Sequence, residues 1–225
     1  MKVSEFFKKV IKVVKLRSRK KFLELGDKIG ILGPEHIYDM EYYKKRNEGE
    51  WLEGAREISS VIDNEFSPES IIDFGCGAGV HLKYFYEQGK HIKGIDGNKH
   101  AKSCSVVPEE FIEIYDLRDK YRVNEKYDLV ICFEVLEHIP ERFDDNLVDS
   151  LADAGDIVVL SAAEPGQGGT HHINEKPREY WIKKFKQRNM SYQKEKTNIL
   201  ANKMNPNKGK WIPENLFVFK KIRSN

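Results

Sequence analysis

A chain of 225 residues with 33% charged residues and a formal net charge of +2 is long enough for one domain with a proper core and too short for a second catalytic domain. With 38 basic residues nearly balancing 36 acidic ones, the whole molecule carries no strong field, so any preference for nucleic acid or a membrane has to come from a local patch. Cys76, Cys104 and Cys132 form no Cys-x-x-Cys pair, and neither a membrane-spanning apolar stretch nor a signal-peptide pattern is present, which predicts a cytoplasmic protein with reduced thiols.

Residues 2–21 contain nine Lys or Arg. At helical spacing Val3, Phe6, Phe7, Val10, Val13 and Val14 share one face while Lys8, Lys9, Lys12 and Lys15 share the other. This basic amphipathic helix suits packing on its own domain or a second subunit as a homodimer, peripheral attachment to an anionic membrane surface, or, third in order, nucleic acid. Gly26, Gly30 and the Gly33-Pro34 pair then interrupt the chain, predicting an appendage over 1–34 and a domain over 35–225. Residues 37–62 read as helical, with Tyr38, Tyr42, Tyr43 and Trp51 forming an aromatic cluster before the first core strand.

Ser70-Ile-Ile-Asp-Phe-Gly-Cys-Gly-Ala-Gly-Val-His81 is a short apolar strand running into a glycine-rich turn that opens a helix. The glycines permit positive φ and a close approach of backbone to ligand. A second strand, His91-Ile-Lys-Gly-Ile-Asp96, ends in an acid about 20 positions later, where such folds bind a ribose diol. Asp73-x-Gly75-x-Gly77-x-Gly79 lacks the third-glycine spacing of the dinucleotide fingerprint. It resembles motif I of the class I S-adenosylmethionine-dependent methyltransferases. Phe111-Ile-Glu-Ile-Tyr-Asp116-Leu117 and Tyr127-Asp-Leu-Val-Ile-Cys-Phe-Glu-Val-Leu-Glu-His-Ile-Pro140 are similar to that family's third and fourth strands. The resemblance covers roughly residues 68 to 165.

It implies S-adenosylmethionine as cofactor and S-adenosylhomocysteine as product. Contacts are then expected from Asp73, Gly75, Cys76, Gly77, Gly79 and His81 around the loop, from Asp96, Gly97 and Asn98 at the ribose, from Asp116 and Leu117 beside the adenine, and from Phe133 and Glu134 after the fourth strand. Strands over 70–74, 91–96, 111–115, 127–133 and 156–161 alternate with helices, and Asn215-Leu-Phe-Val-Phe-Lys-Lys221 gives a last one. The fold class expected is α/β, a Rossmann-like doubly wound seven-stranded sheet, mostly parallel, with an antiparallel edge strand.

Glu134-Val-Leu-Glu137-His138 falls where the fourth strand yields to a helix, at the carboxyl edge where α/β ligands sit. On one helical turn these residues can converge and hold Mg²⁺ or Mn²⁺. The Glu-x-x-Glu-His pattern resembles the ubiquinone-pathway O-methyltransferases and the terminal 2′-O-methyltransferases of small RNAs, in which both glutamates and the histidine, with one distant histidine, bind the metal. Glu164-Pro-Gly-Gln-Gly-Gly-Thr-His171-His172-Ile-Asn174 follows the fifth strand as a glycine-rich loop. Alternate faces of an extended loop send neighbouring side chains opposite ways, so His172 is taken as the fourth ligand beside Glu134, Glu137 and His138, and His171 as general base, with Glu134 also at the reacting centre. The stretch from Gly168 to Trp181 is similar to methyltransferases encoded among glycan-building enzymes. A hydroxyl is the nucleophile that most needs a base or cation. The sequence therefore predicts an O-methyltransferase acting on a sugar, glycan or glycosylated small molecule. RNA ribose 2′-O-methylation and a non-catalytic cofactor-binding partner subunit are the alternatives.

Overall fold

The computed structural model describes residue 26, residues 38–207 and residues 209–222. The basic helix over 2–21 and the breaks at Gly30 and Gly33-Pro34 lie outside the described residues. β1 (Ser70–Phe74) pairs parallel with β2 (His91–Asp96) and β4 (Leu129–Phe133), β2 with β3 (Ile112–Ile114), and β4 with β5 (Ile157–Ser161). β7 (Leu216–Lys221) runs antiparallel to both β5 and β6 (Met190–Tyr192). The sheet order is β3-β2-β1-β4-β5-β7-β6, a mostly parallel Rossmann-like α/β sheet. The last strand of the chain is thus antiparallel as expected but sits one place in from the edge, which the three-residue β6 occupies.

Among the described residues from 38 onward the α-helices are α1 (Met40–Arg46), α2 (Gly49–Phe66), α3 (Val80–Glu87), α4 (Lys99–Ser103), α5 (Asp144–Ala154), α6 (Arg178–Lys186), α7 (Lys194–Lys203) and α8 (Trp211–Glu214). Period-two alternation sends Leu129 and Ile131 to one face of β4 and Val130 and Cys132 to the other. The first pair packs with Ile58 and Ile62 of α2 and Leu82 and Phe85 of α3, the second with Leu147 and Leu151 of α5 and Trp181 and Phe185 of α6. Each of these large side chains contributes about 1.5–3 kcal/mol by burial, so the central strands form a rigid floor. Their carboxyl ends carry the site. Among the described residues no helix is long and apolar enough to cross a membrane.

The helix expected over 37–62 is two helices. Asp39 caps α1 by accepting from the Tyr42 amide at 2.9 Å, and the chain breaks at Asn47–Glu48 before restarting at Gly49, whose φ is +56°. This break lets α1 cross over the carboxyl edge of the sheet while α2 packs on α3, so Tyr38, Tyr42, Tyr43 and Trp51 cover the ligand edge.

Candidate active site

The amides of Gly75 and Cys76 both donate to the carbonyl of Ile95, at 2.7 and 3.1 Å, which ties the loop after β1 to β2. Gly75, Gly77 and Gly79 have φ of +74°, +54° and +79°, a region costly for any residue with a Cβ. At Gly75 a Cβ would also overlap the Val135 side chain. Asp96, at the end of β2, accepts from the Gly77 amide through Oδ2 and from the Asn98 amide through Oδ1, each at 2.8 Å. Burial pushes its carboxyl up to about 6, against the pull of those two amides.

These elements open onto a cavity of about 740 Å³. Gly75, Cys76, Gly77, His81, Asp96, Gly97, Asp116, Leu117, Phe133 and Glu134 line it. Asp73, Gly79 and Asn98 lie behind this lining and hold it in place. Asp73 is buried beneath the loop, where burial and then the charge of Asp96 hold its carboxyl well above its ordinary value. Gly79 faces Val107, 3.1 Å from where its Cβ would stand. Asn98 caps α4 through the His100 amide at 2.9 Å and donates to the Tyr38 carbonyl at 2.8 Å. Asp116 lines the cavity with its carboxylate held by Arg118, Nη2 to Oδ2 at 2.6 Å. An aperture with exposed loop backbone, an acid at the ribose position and an apolar wall fits an adenosyl cofactor.

At the end of β4 the expected helical turn is not α-helical. Glu134 takes φ +55° and only a 3₁₀ turn, Leu136–His138, follows. Pro140 explains the stop, since the residue before a proline is driven to extended backbone, and Ile139 is extended. The two glutamate side chains still meet, each within hydrogen-bonding reach of the other, but Glu134 does not join the histidines. Ligand atoms of Glu137, His138 and His172 lie within 4.8 Å of one another, whereas Glu134, expected as a fourth ligand, is outside that set. Its carboxyl is raised by burial, with Ser161 and Asn215 as nearby hydrogen-bonding groups that oppose the shift.

Glu137 is fully buried, and neither carboxylate oxygen has a hydrogen-bond partner. Burial, reinforced by the charge of Glu134, holds its carboxyl well above the usual range. Without a cation such a group stays protonated, and it ionises only where something cationic compensates the charge. The two histidines present complementary chemistry. Nδ1 of His138 lies 3.0 Å from the His171 carbonyl, which can only accept, so Nδ1 carries the proton and Nε2 keeps its lone pair. Burial lowers His138 to about 4, so its ring is neutral near pH 7. Nδ1 of His172 lies 3.0 Å from Glu175 Oε1, so it too carries a proton on Nδ1. The residues fit a divalent cation. His171 lines the cavity at φ +65°, its ring parallel to that of His138 with centroids 6.3 Å apart.

Further contributors come from distant segments of the chain. Tyr38 Oη donates to the Thr170 carbonyl at 3.3 Å and lies 3.2 Å from His138 Nδ1, bridging the N-terminal aromatic cluster to the histidine loop. Arg46 places its guanidinium 3.6 Å from the Tyr42 ring centroid and 4.9 Å from that of Trp51, and Trp211 of α8 stands 5.6 Å from Trp51. All four line the cavity, as does Glu214. Glu175 anchors His172. Tyr38, Tyr42 and Trp51 belong to the aromatic cluster that the sequence already shows, whereas Arg46, Glu175, Trp211 and Glu214 carry no such mark.

A family model for a methyltransferase domain matches residues 43–197. A ubiquinone biosynthesis O-methyltransferase of Paraburkholderia phytofirmans is 34% identical over 80 residues, covering 32% of this chain and 34% of that protein. A dTDP-4-amino-2,3,4,6-tetradeoxy-D-glucose N,N-dimethyltransferase of Saccharopolyspora spinosa is 26% identical over 107 residues, 45% of this chain and 42% of that one. The chain thus spans less than half the length of these curated relatives. In fold, magnesium protoporphyrin IX methyltransferase from Synechocystis, crystallised with S-adenosylhomocysteine, aligns with TM-score 0.54 at 17% identity, covering 78% of this chain and 84% of that one.

Proposed function

The chain belongs to the S-adenosylmethionine-dependent methyltransferases, and on that premise we propose that it methylates a hydroxyl of a sugar or glycosylated acceptor with the help of a divalent cation. The observation that carries this reading is the buried, unpartnered Glu137 carboxylate set against two histidines whose Nδ1 protons are already committed. The bound cofactor supplies a methyl group already activated on sulfur, so the chain's residues have to orient the acceptor and remove its proton.

Glu137, His138 and His172 would hold the cation, whose charge favours the ionised form of a nearby hydroxyl. Two imidazoles and one carboxylate, without Glu134, suit Mn²⁺ better than Mg²⁺, which prefers oxygen ligands throughout. His171 faces the cavity from the same loop and is the proposed base. Trp51 and Trp211 offer flat apolar faces for the C–H side of a sugar ring, and Arg46 offers a guanidinium for an anionic substituent such as a phosphate. The Saccharopolyspora relative is named for an amino-sugar nitrogen and the Paraburkholderia relative for O-methylation. Oxygen is favoured because an amine sheds its proton without a cation or a base of this kind.

The test is methyl transfer from S-adenosylmethionine to a panel of sugar phosphates, glycans, phenols, amino sugars and RNA, with and without chelator. Transfer to hydroxyl acceptors that stops with chelator and returns with Mn²⁺ or Mg²⁺ supports the reading. Transfer to an amine that ignores chelator overturns it, and transfer to RNA ribose moves the acceptor class.

A further inference from the structure

We propose that Glu175 is a positioning residue whose single carboxylate latches the glycine-rich loop after β5 and fixes the tautomer of His172. The inference rests on the cation reading of Glu137, His138 and His172 for its consequence, though not for its geometry. Oε2 of Glu175 accepts from the Gly166 amide at 2.7 Å, and Oε1 accepts from the Gly168 amide at 2.7 Å and faces His172 Nδ1 at 3.0 Å. The side chain is only 17% exposed. An ionised carboxylate accepts and never donates, so the imidazole must carry a proton on Nδ1, and in its neutral form the lone pair is then on Nε2. This is the arrangement that orients an imidazole ligand and raises its basicity.

The loop is shaped for this contact. Gly166 and Gly168 have φ of +90° and +68°, which turns both amides toward one carboxylate. Gly169 completes the fit, because a Cβ there would fall on the His172 imidazole. His138 has its tautomer set by the backbone carbonyl of His171, which no side-chain substitution removes. His172 depends on a side chain three residues away. Opening the loop would therefore break three hydrogen bonds to one group and free the His172 ring in the same movement. Closure over the acceptor and completion of the cation site become one event.

The experiment uses the full chain, as wild type, Glu175→Ala and Glu175→Gln. Long-range ¹⁵N spectra of labelled histidine report which nitrogen of His172 bears the proton, and calorimetry with MnCl₂ reports cation affinity. The wild type should show the Nδ1–H tautomer. Glu175→Ala should show a mixture and lose about ten- to a hundredfold in Mn²⁺ affinity, while S-adenosylhomocysteine affinity stays within about twofold, since Glu175 does not line the main cavity. In Glu175→Gln the carbonyl oxygen can still accept from His172, but the amide nitrogen opposes a glycine N–H. Faster hydrogen exchange at Gly166 or Gly168 with the tautomer retained is expected. That variant decides the matter if Glu175→Ala fails to fold, and unchanged exchange in it overturns the proposal. An unchanged tautomer in a folded Glu175→Ala also overturns it. A wild type that takes up no Mn²⁺ removes the cation reading, while the tautomer still tests the latch.

Discussion

Asp96→Asn separates cofactor recognition from folding, because two effects of similar size oppose each other in stability and not in affinity. In the wild type each carboxylate oxygen accepts one backbone amide at 2.8 Å. Asparagine keeps one acceptor and turns an NH₂ toward the other amide, losing a charge-assisted bond of about 1.5–3 kcal/mol. Against this, Asp96 is buried and its carboxyl is raised from 3.8 to about 6, so its charge costs the folded protein about 3 kcal/mol at pH 7. Removing the charge offsets most of the lost bond, and urea denaturation at pH 7 should show stability changed by less than about 2 kcal/mol. Affinity has no such offset. The weaker acceptor should cost the ribose contact about 1.5–3 kcal/mol, roughly ten- to a hundredfold in the dissociation constant of S-adenosylhomocysteine by calorimetry. The pH dependence has a fixed sign. A raised acid contributes stability that is complete below about pH 4 and lost as pH climbs through 6, a slope that the Asn variant should lack. Wild-type affinity, which needs the ionised acceptor, should rise through pH 6 and level off above it. Unchanged affinity in Asp96→Asn, or an unfolded variant at pH 7, would refute the reasoning.

Gly75→Ala should destabilise by about 2–5 kcal/mol, the sum of positive φ and overlap with Val135, and a melting curve within a degree or two of wild type would contradict this. Trp211→Ala should raise the acceptor KM roughly tenfold through lost stacking area while cofactor affinity holds; equal loss of both would place Trp211 at the cofactor. A chain starting at residue 35 should bind S-adenosylhomocysteine as the whole chain does, because the described cavity wall begins at Tyr38, and lost binding would make the basic segment part of the domain.

The strands were legible because parallel strands buried on both faces must be continuously apolar, as in Leu129 to Phe133. β6 was not, since Met190-Ser-Tyr192 is short and half polar and owes its pairing to β7. The glycine loop was legible because positive φ demands glycine. Asp73, Gly79 and Asn98 carry motif-like spacing, and spacing alone does not say that they stand behind the cavity lining. A helical turn would bring Glu134 to the histidines with Glu137; the left-handed backbone at Glu134 and the nearby Pro140 leave it touching Glu137 but outside the His138–His172 set. Arg46, Trp211 and Glu175 act through contacts between distant segments or through a loop shape, which no local pattern announces.

The break at Asn47–Glu48 and the placement of α8 divide labour along the chain. The glycine loop, Asp96 and Asp116 line the cavity from residues 75–118, while other lining residues come from the histidine loop and from Trp211 and Glu214. The two meet at one short hinge of sequence, Phe133 to His138. On the proposed reading, donor handling and acceptor choice are separable parts. Exchanging residues 164–214 together with Arg46 and Trp51 for those of another member with the same sheet should change the acceptor while leaving S-adenosylhomocysteine affinity as it stands.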